Sequence, residues 1–256
     1  MIHLKTYKEI DLMRESSMLV ARTHAELAKL VKPGVTSLYL DKIAEEFIRD
    51  NGGVPAFKGY NNFPNTLCIS NDNEVVHGLP TKKELLEGAI VSIDCGVLMN
   101  DFYGDSAYTY AVGDISSKKH KLLKITKEAL NKGVQAAICG NSIGDIGYAI
   151  QNHAESFGYS VVRELVGHGI GKGLHEAPEV PNYGKKGSGK LLEPGMVIAI
   201  EPMINMGLAD VRQENDGWTI VTKDGLPSAH FEYTVAIKED ETEVLSPFSF
   251  IENNLN

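Results

Sequence analysis

Val91-Ser92-Ile93-Asp94-Cys95-Gly96, running on through Asp101 to Gly104-Asp105-Ser106, decides how this chain is read. Val91 and Ile93 alternate with small or polar residues. A Gly/Asn/Asp cluster (Gly96, Asn100, Asp101) follows, and Phe102 to Val112 is again rich in aromatic and β-branched residues, which predicts a β-hairpin. Asp94 and Asp105 fall on its two arms beside apolar neighbours, so folding brings two carboxylates together in a poorly solvated place. Like charges there repel, and one pKa must rise unless a cation holds both oxygens. Seen alone, the pair could equally be two aspartates flanking a surface turn.

Around this hairpin stands a chain of ordinary globular composition. Its 256 residues make one large domain or two small ones, with 43% apolar and 23% charged residues. A net charge of −9 argues against broad nucleic-acid binding, DNA included. There is no run of about 18 apolar residues for a membrane span, and Met1-Ile2-His3-Leu4-Lys5 lacks the apolar core of a signal peptide. Cys68, Cys95 and Cys139 are too few, and wrongly spaced, for a disulfide framework or a cysteine zinc site. The expected compartment is the reducing cytoplasm.

In chain order, Thr6-Tyr7-Lys8-Glu9 has the form of a capping box, and apolar residues from Ile10 to Val31 keep a helical period up to Pro33-Gly34. A second helix is predicted from about Ser37 to Asp50, ended by Gly52-Gly53. Strands are predicted at 66–70, 74–76, 218–223 and 231–237, and a helix start at Ser116. The pattern then repeats. Gly34-Val35-Thr36 matches Gly140-Asn141-Ser142 at an offset of 106 residues, Glu74 to Leu79 matches Glu164 to Ile170, and Leu85 to Asp94 matches Leu191 to Glu201, where Asp94 and Glu201 are 107 apart. Three matches in one order imply two α+β halves related by a pseudo-two-fold axis, roughly 6–113 and 114–250, within a single unit over 1–256. Equivalent residues then meet across the axis: Asp94 faces Glu201, and Glu232, in the last strand, is the counterpart of Asp105.

Four converging carboxylates without basic partners make sense only around cations. Lys and Arg are absent from the flanking segments 90–99 and 197–208, which removes the salt-bridge explanation. His168, between Gly167 and Gly169, completes a set of five: Asp94, Asp105, His168, Glu201 and Glu232. Bridging carboxylates let five residues hold two divalent ions about 3.5 to 4 Å apart. Oxygen-rich ligation with one imidazole suits Mn, Fe or Co at least as well as Zn.

Seven segments in order carry a resemblance to a known family: Cys68-Ile69-Ser70 through Val76-His77-Gly78-Leu79-Pro80; Ile93-Asp94; Gly104-Asp105; Gly167 to Gly171 with His175-Glu176; Pro194-Gly195-Met196 to Ile200-Glu201-Pro202; Asp216 to Thr219; and His230 to Thr234. Over nearly its whole length the chain resembles the type I, bacterial-type methionine aminopeptidases, of the α+β pita-bread fold. The resemblance implies that Asp94 chelates one metal ion, His168 the other, and that Asp105 and Glu232 bridge them. Glu201 is implied to be both a ligand and the acid/base handling the proton of a metal-bridging water. His175 is implied to hydrogen-bond the scissile carbonyl or its oxyanion, and His77 to contact the amide nitrogen or substrate main chain. The implied methionine pocket is Phe57, Tyr60, Phe63, Cys68, Leu174, Met203 and Trp218. Phe57, Phe63 and Leu174 stand where a familiar version of the family has Cys, Tyr and Phe, so the wall stays apolar or aromatic.

The function so implied is removal of the initiator methionine from nascent polypeptide N-termini when the next residue is small, by a monomer holding two divalent ions. Two rivals share the fold. One cleaves Xaa-Pro bonds, but such enzymes usually carry a large N-terminal domain, and only about 90 residues precede Asp94 here. The other is a non-catalytic protein that binds peptides or ribosomes, which would have lost ligands. His3, His24, His120 and His153 read as ordinary surface or core residues. Gly184 to Lys190 has the wrong spacing for a phosphate loop. Lys118, Lys119, Lys121, Lys124 and Lys127 read as a wet helix face, with a transient ribosome contact as the alternative.

Overall fold

Residues 2–255 are described by a computed structural model. Thr6 caps α1 (Tyr7–Ala28) through a capping box with Glu9, and Thr36 caps α2 (Ser37–Asp50). The first helix stops earlier than its apolar period suggests. Leu30 and Val31 reach the core from a turn closed on Leu27 O, since Pro33 disfavours helical backbone at the residue before it.

Strands β1 (Val54–Pro55), β2 (Leu67–Asn71) and β3 (Glu74–Val76) lead to the hairpin, β4 (Ile90–Met99) and β5 (Phe102–Ala111). It is paired without interruption from Ile90–Ala111 to Met99–Phe102, with Asn100 and Asp101 at positive φ in the turn. Asp94 lies opposite Ala107 and Asp105 opposite Gly96, so the two aspartates are diagonal neighbours on the ladder. Strands β2 and β1 pair successive stretches of the β4 edge that β5 leaves free, and α1 covers β4 and β5. The helix comes so close that a Cβ on Gly104 would lie 2.5 Å from Ser17 N. Only glycine fits beside Asp105.

The second half repeats this order. Helices α3 (Ser117–Ala136) and α4 (Ile143–Ser156) are followed by β6 (Ser160–Val161), β7 (Gly167–Gly169) and β8 (Glu176–Val180), then β9 (Val197–Ile200) and β10 (Met203–Asn205). β11 (Val211–Gln213), β12 (Ile220–Thr222), β13 (Ser228–His230), β14 (Tyr233–Ile237), β15 (Thr242–Val244) and α5 (Ser249–Glu252) complete it. The repeat is literal at the level of hydrogen bonds. Gly34 N donates to Leu85 O and Gly140 N to Leu192 O, at 3.0 Å each, and the bridges Thr36–Glu84 and Ser142–Leu191 are likewise equivalent, which pairs Leu85 with Leu192, one residue on from the sequence match. Both Gly34 and Gly140 are left-handed (φ 85 and 86), which explains glycine at both sites.

One expectation is corrected. Glu232 is not inside a strand: the second hairpin is broken on both arms, at Glu201-Pro202 between β9 and β10 and at Phe231-Glu232 between β13 and β14. Below the break β9 and β14 belong to a sheet ordered β15-β14-β9-β7-β8. Above it β10 lies between β13 and β6. Pro202 has no N–H to give a ladder. Hydroxyls stitch the broken arm to β5: Thr234 Oγ1 donates to Asp105 O (2.7 Å) and accepts from Asp105 N (3.2 Å). Ser106 Oγ donates to Glu232 O (2.7 Å), Thr109 Oγ1 to His230 O (2.7 Å), and Glu232 N to Ala107 O (2.9 Å).

A single apolar cluster spans both halves, from Leu19, Leu40 and Ile93 to Ile146, Ile198 and Val235. Of the basic face on α3, Lys119 is engaged with Asp72 and Gly88 O, and Lys127 with Glu252. Among the described residues no helix is long and apolar enough to cross a membrane.

Candidate metal centre and substrate recess

The uninterrupted hairpin fixes Asp94 and Asp105, and the two breaks bring Glu201 and Glu232 to them. Asn182 holds Glu201 from behind, its Nδ2 donating to the backbone oxygen (3.0 Å). Oδ1 of Asp94, Oδ1 of Asp105 and Oε1 of Glu232 are buried and have no hydrogen-bond partner. No lysine or arginine among the described residues pairs with any of the four. Burial pushes Asp94 up to about 7. It also lifts Asp105, Glu201 and Glu232 well above the usual carboxylate range, with the neighbouring carboxylates adding to the shift. Each negative charge here opposes the others.

Histidine supplies neutral nitrogen. His168 Nδ1 lies 2.9 Å from Gly169 O, and since a carbonyl can only accept, Nδ1 carries the proton and Nε2 is bare. Burial, then His175, pulls His168 down to about 4, so the ring is neutral at pH 7. Its ligand nitrogen lies within 4.8 Å of a carboxylate oxygen of Asp105 and one of Glu232, and those two lie equally close to each other. Orphaned oxygens, a bare imidazole nitrogen and the lack of any competing cation fit a divalent metal ion.

Glu201 stands between two imidazoles. Oε1 is 3.5 Å from His168 Nε2, and Oε2 is 3.8 Å from Nε2 of His230. His230 opens the segment His230 to Thr234 and carries no role in the sequence reading. It is buried, its Nε2 has no partner, and burial with His77 pulls it down to about 3. Its place two residues before Glu232 was the available signal, because alternate residues of an extended chain share a face.

A recess of about 150 Å³ opens onto this centre. Its walls are Phe57, Tyr60, Phe63, Cys68, Leu174 and Trp218, with Asn61, which the sequence did not single out. Its floor and mouth are Asp94, Asp105, Glu201, Glu232, His77, His168 and His175. A cavity of that size holds a benzene-sized group. Phe63 meets Trp218 edge to face at 5.1 Å, and Asp216 fixes Trp218 by accepting from its N–H (2.8 Å) and from Thr219 N (2.9 Å). Met203 lies elsewhere, packed with Val75, Val76 and Val162, and borders an adjoining cavity that His77, His175, Glu201 and His230 also line. His77 has a left-handed backbone (φ 59), costly for a non-glycine residue and typical of positions held for function. The His175 loop is clamped by a half-buried ion pair, Lys5 Nζ to Glu176 Oε2 at 2.7 Å, while Glu176 Oε1 accepts from Gly173 N (2.8 Å).

Comparison with known proteins agrees with this geometry. The model of metallopeptidase family M24 matches residues 11–239. A methionine aminopeptidase of Clostridium perfringens is 51% identical over 246 residues, covering 96% of this chain and 99% of that protein. The crystal structure of methionine aminopeptidase from Rickettsia prowazekii superposes with a TM-score of 0.95 at 40% identity, covering 96% of this chain and 100% of that one. That of the Thermotoga maritima enzyme gives 0.95 at 42%, covering 96% and 99%. Matches of this depth, running through both halves and every segment that builds the centre, make the chain a member of metallopeptidase family M24, in its type I, bacterial-type methionine aminopeptidase branch with the pita-bread fold.

Proposed function

We propose that this protein removes the initiator methionine from nascent polypeptides in the cytosol when the second residue is small, acting as a monomer and as one catalytic unit. The observation that carries the reading is the convergence of Asp105, His168 and Glu232 donor atoms at the floor of an apolar recess sized for one side chain. In this reading Asp94 and His168 would each hold one of two ions, Asp105 and Glu232 would be shared between them, and Glu201 would complete the set; Mn(II), Fe(II), Co(II) and Zn(II) all suit the donors. When bound, such ions neutralise the carboxylates, act as Lewis acids on the scissile carbonyl and make water nucleophilic at neutral pH.

The chain's own residues do the rest. Phe57, Tyr60, Phe63, Cys68, Leu174 and Trp218 enclose the thioether side chain, and a buried apolar wall rejects Lys or Glu because their charges would be stranded. Glu201 takes a proton from water as its oxygen adds to the carbonyl carbon, then gives it to the amide nitrogen as the C–N bond breaks. His175 donates a hydrogen bond to the carbonyl oxygen as charge develops there, and His77 holds the substrate main chain beside the scissile bond. Burial lowers both His77 and His175 from the ordinary histidine value, which favours their neutral rings.

Met-Gly-Met, Met-Pro and Xaa-Pro peptides, and Met-Xaa peptides with a larger second residue, test the reading. Each is assayed on the chelated protein and after addition of each metal in turn. Release of methionine from Met-Gly-Met, dependent on metal and falling with the size of the second residue, is expected. Failure with every metal, or preference for Xaa-Pro, would refute it.

A further inference from the structure

Tyr60 serves above only as a wall of the recess, yet its hydroxyl lies 2.8 Å from Nδ1 of His175. The geometry points to Tyr60 as a positioning residue: its hydroxyl donates to His175 Nδ1, fixing the neutral ring in the tautomer that carries its proton on Nε2 and presents that proton to the scissile carbonyl. This deepens the proposed function and rests on its reading of His175.

The direction of the bond follows from the groups. A phenol is a strong donor and a weak acceptor, while a bare imidazole nitrogen is a strong neutral acceptor, so the arrangement O–H to Nδ1 is favoured. The neighbouring ring shows the opposite setting. His168 and His175 stand 4.3 Å apart, inclined by 70°. Nδ1 of His168 faces a carbonyl, which leaves its Nε2 bare for a metal ion. Nδ1 of His175 faces a hydroxyl, which leaves its Nε2 protonated and unfit to be a ligand. Two adjacent imidazoles are thus assigned opposite duties, and the partner of each Nδ1 decides which.

Both ends of the bond are anchored. Tyr60 opens a single 3-10 turn, Tyr60–Asn62, entered from Gly59 at φ 87, with Asn61 and Asn62 also left-handed. Gly59 N donates to Phe63 O (2.8 Å) and Tyr60 N to Phe57 O (2.9 Å). On the other side, the Lys5–Glu176 pair fixes the residue after His175.

Tyr60→Phe keeps the ring and removes the hydroxyl. Nitrogen-15 spectra of the metal-free protein, taken above the ordinary histidine pKa of about 6.5, read the tautomer of each ring directly. In the wild type, His175 should be protonated on Nε2 and His168 on Nδ1. In Tyr60→Phe, His175 should lose its preference while His168 keeps its own. With metal restored, kcat on Met-Gly-Met should fall about ten-fold or more, as for other groups that orient a site imidazole, with KM within about two-fold because the aromatic wall remains. A wild-type His175 protonated on Nδ1, a His175 signal indifferent to the substitution, or an unchanged kcat would each overturn the inference. Absence of methionine release by the wild type would instead refute the function, and the tautomers, read without metal, would still decide this point.

Discussion

Stripping the metal centre should make the protein less stable as pH rises, and restoring a metal should abolish that trend. A carboxylate whose folded pKa is raised contributes stability that is complete below its ordinary pKa of about 4 and lost as pH climbs through the folded value. Asp94 is pushed up to about 7, and Asp105, Glu201 and Glu232 are raised further beyond their ordinary range. The buried histidines act oppositely. His24 and His168, each lowered to about 4, and His230, to about 3, remove stability as pH falls below the unfolded histidine pKa. From about pH 7.5 to 8 the histidines are almost wholly neutral both folded and unfolded, so the carboxylate cluster dominates.

Within that window the unfolded chain holds no carboxyl protons, while the folded metal-free cluster retains at least one. Each retained proton costs ~1.4 kcal/mol of stability per pH unit. For a chain of this length 1 kcal/mol moves Tm by about 2–4 °C, so the metal-free protein should lose about 3–6 °C per pH unit. A divalent ion takes the proton's place and the slope disappears. At a hundred times its Kd the ion adds ~2.7 kcal/mol, about 5–11 °C. Thermal melts in chelator and in excess Mn(II), across the same window, measure both effects. Parallel profiles, or a metal-free Tm that does not change with pH, would refute the view that these four oxygen pairs share one dry centre.

Three substitutions probe what surrounds it. Thr234→Val strands the backbone N–H and C=O of Asp105, which should cost about 2–5 kcal/mol of stability and roughly ten-fold in Mn(II) affinity by calorimetry, while Thr234→Ser retains both. Lys5→Met leaves the partly exposed Glu176 carboxylate without its partner; a loss of about 1–2 kcal/mol in urea unfolding is expected, with kcat falling more than KM rises because the loop carries His175. Gly96→Ala would place a Cβ 2.7 Å from Phe57 Cε1, so the ring must shift; steady-state kinetics should show KM for Met peptides rising with little change in kcat, and melts a cost of about 1–3 kcal/mol.

Local pattern made much of this legible. Thr36 before an apolar stripe and Gly52-Gly53 after it gave α2 its observed limits, because capping and amphipathicity are properties of neighbouring residues. The hairpin was readable for the same reason, and the repeat exposed the second half through Gly140 and Leu192. The link between halves was not readable. Ser106, Thr109 and Thr234 look like ordinary strand residues, and nothing within a few positions says that their hydroxyls bond backbone more than a hundred residues away. Tyr60 was legible as aromatic wall, but its hydroxyl gains a partner only when the 57–63 loop and the 171–176 loop meet.

The two halves are alike in plan and unlike at the centre, and that difference has a physical use. In the first hairpin every residue from Ile90 to Met99 is laddered, so Asp94 and Asp105 sit on a rigid ribbon. In the second, Pro202 and the gap at Phe231-Glu232 break the ladder at the two glutamates, and the strands above and below the break join different sheets. Glutamate has one more torsion than aspartate and starts here from backbone displaced from the ribbon, so it can reach the same point from farther away. A second unbroken hairpin would hold Glu201 and Glu232 on its own pleat. The break frees them from it, and Thr234, Ser106 and Asn182 restore with side-chain hydrogen bonds the precision that the missing ladder would have given. Buried like charges survive in a native chain only when the backbone cannot retreat from them, and here it is tied from both sides of the axis.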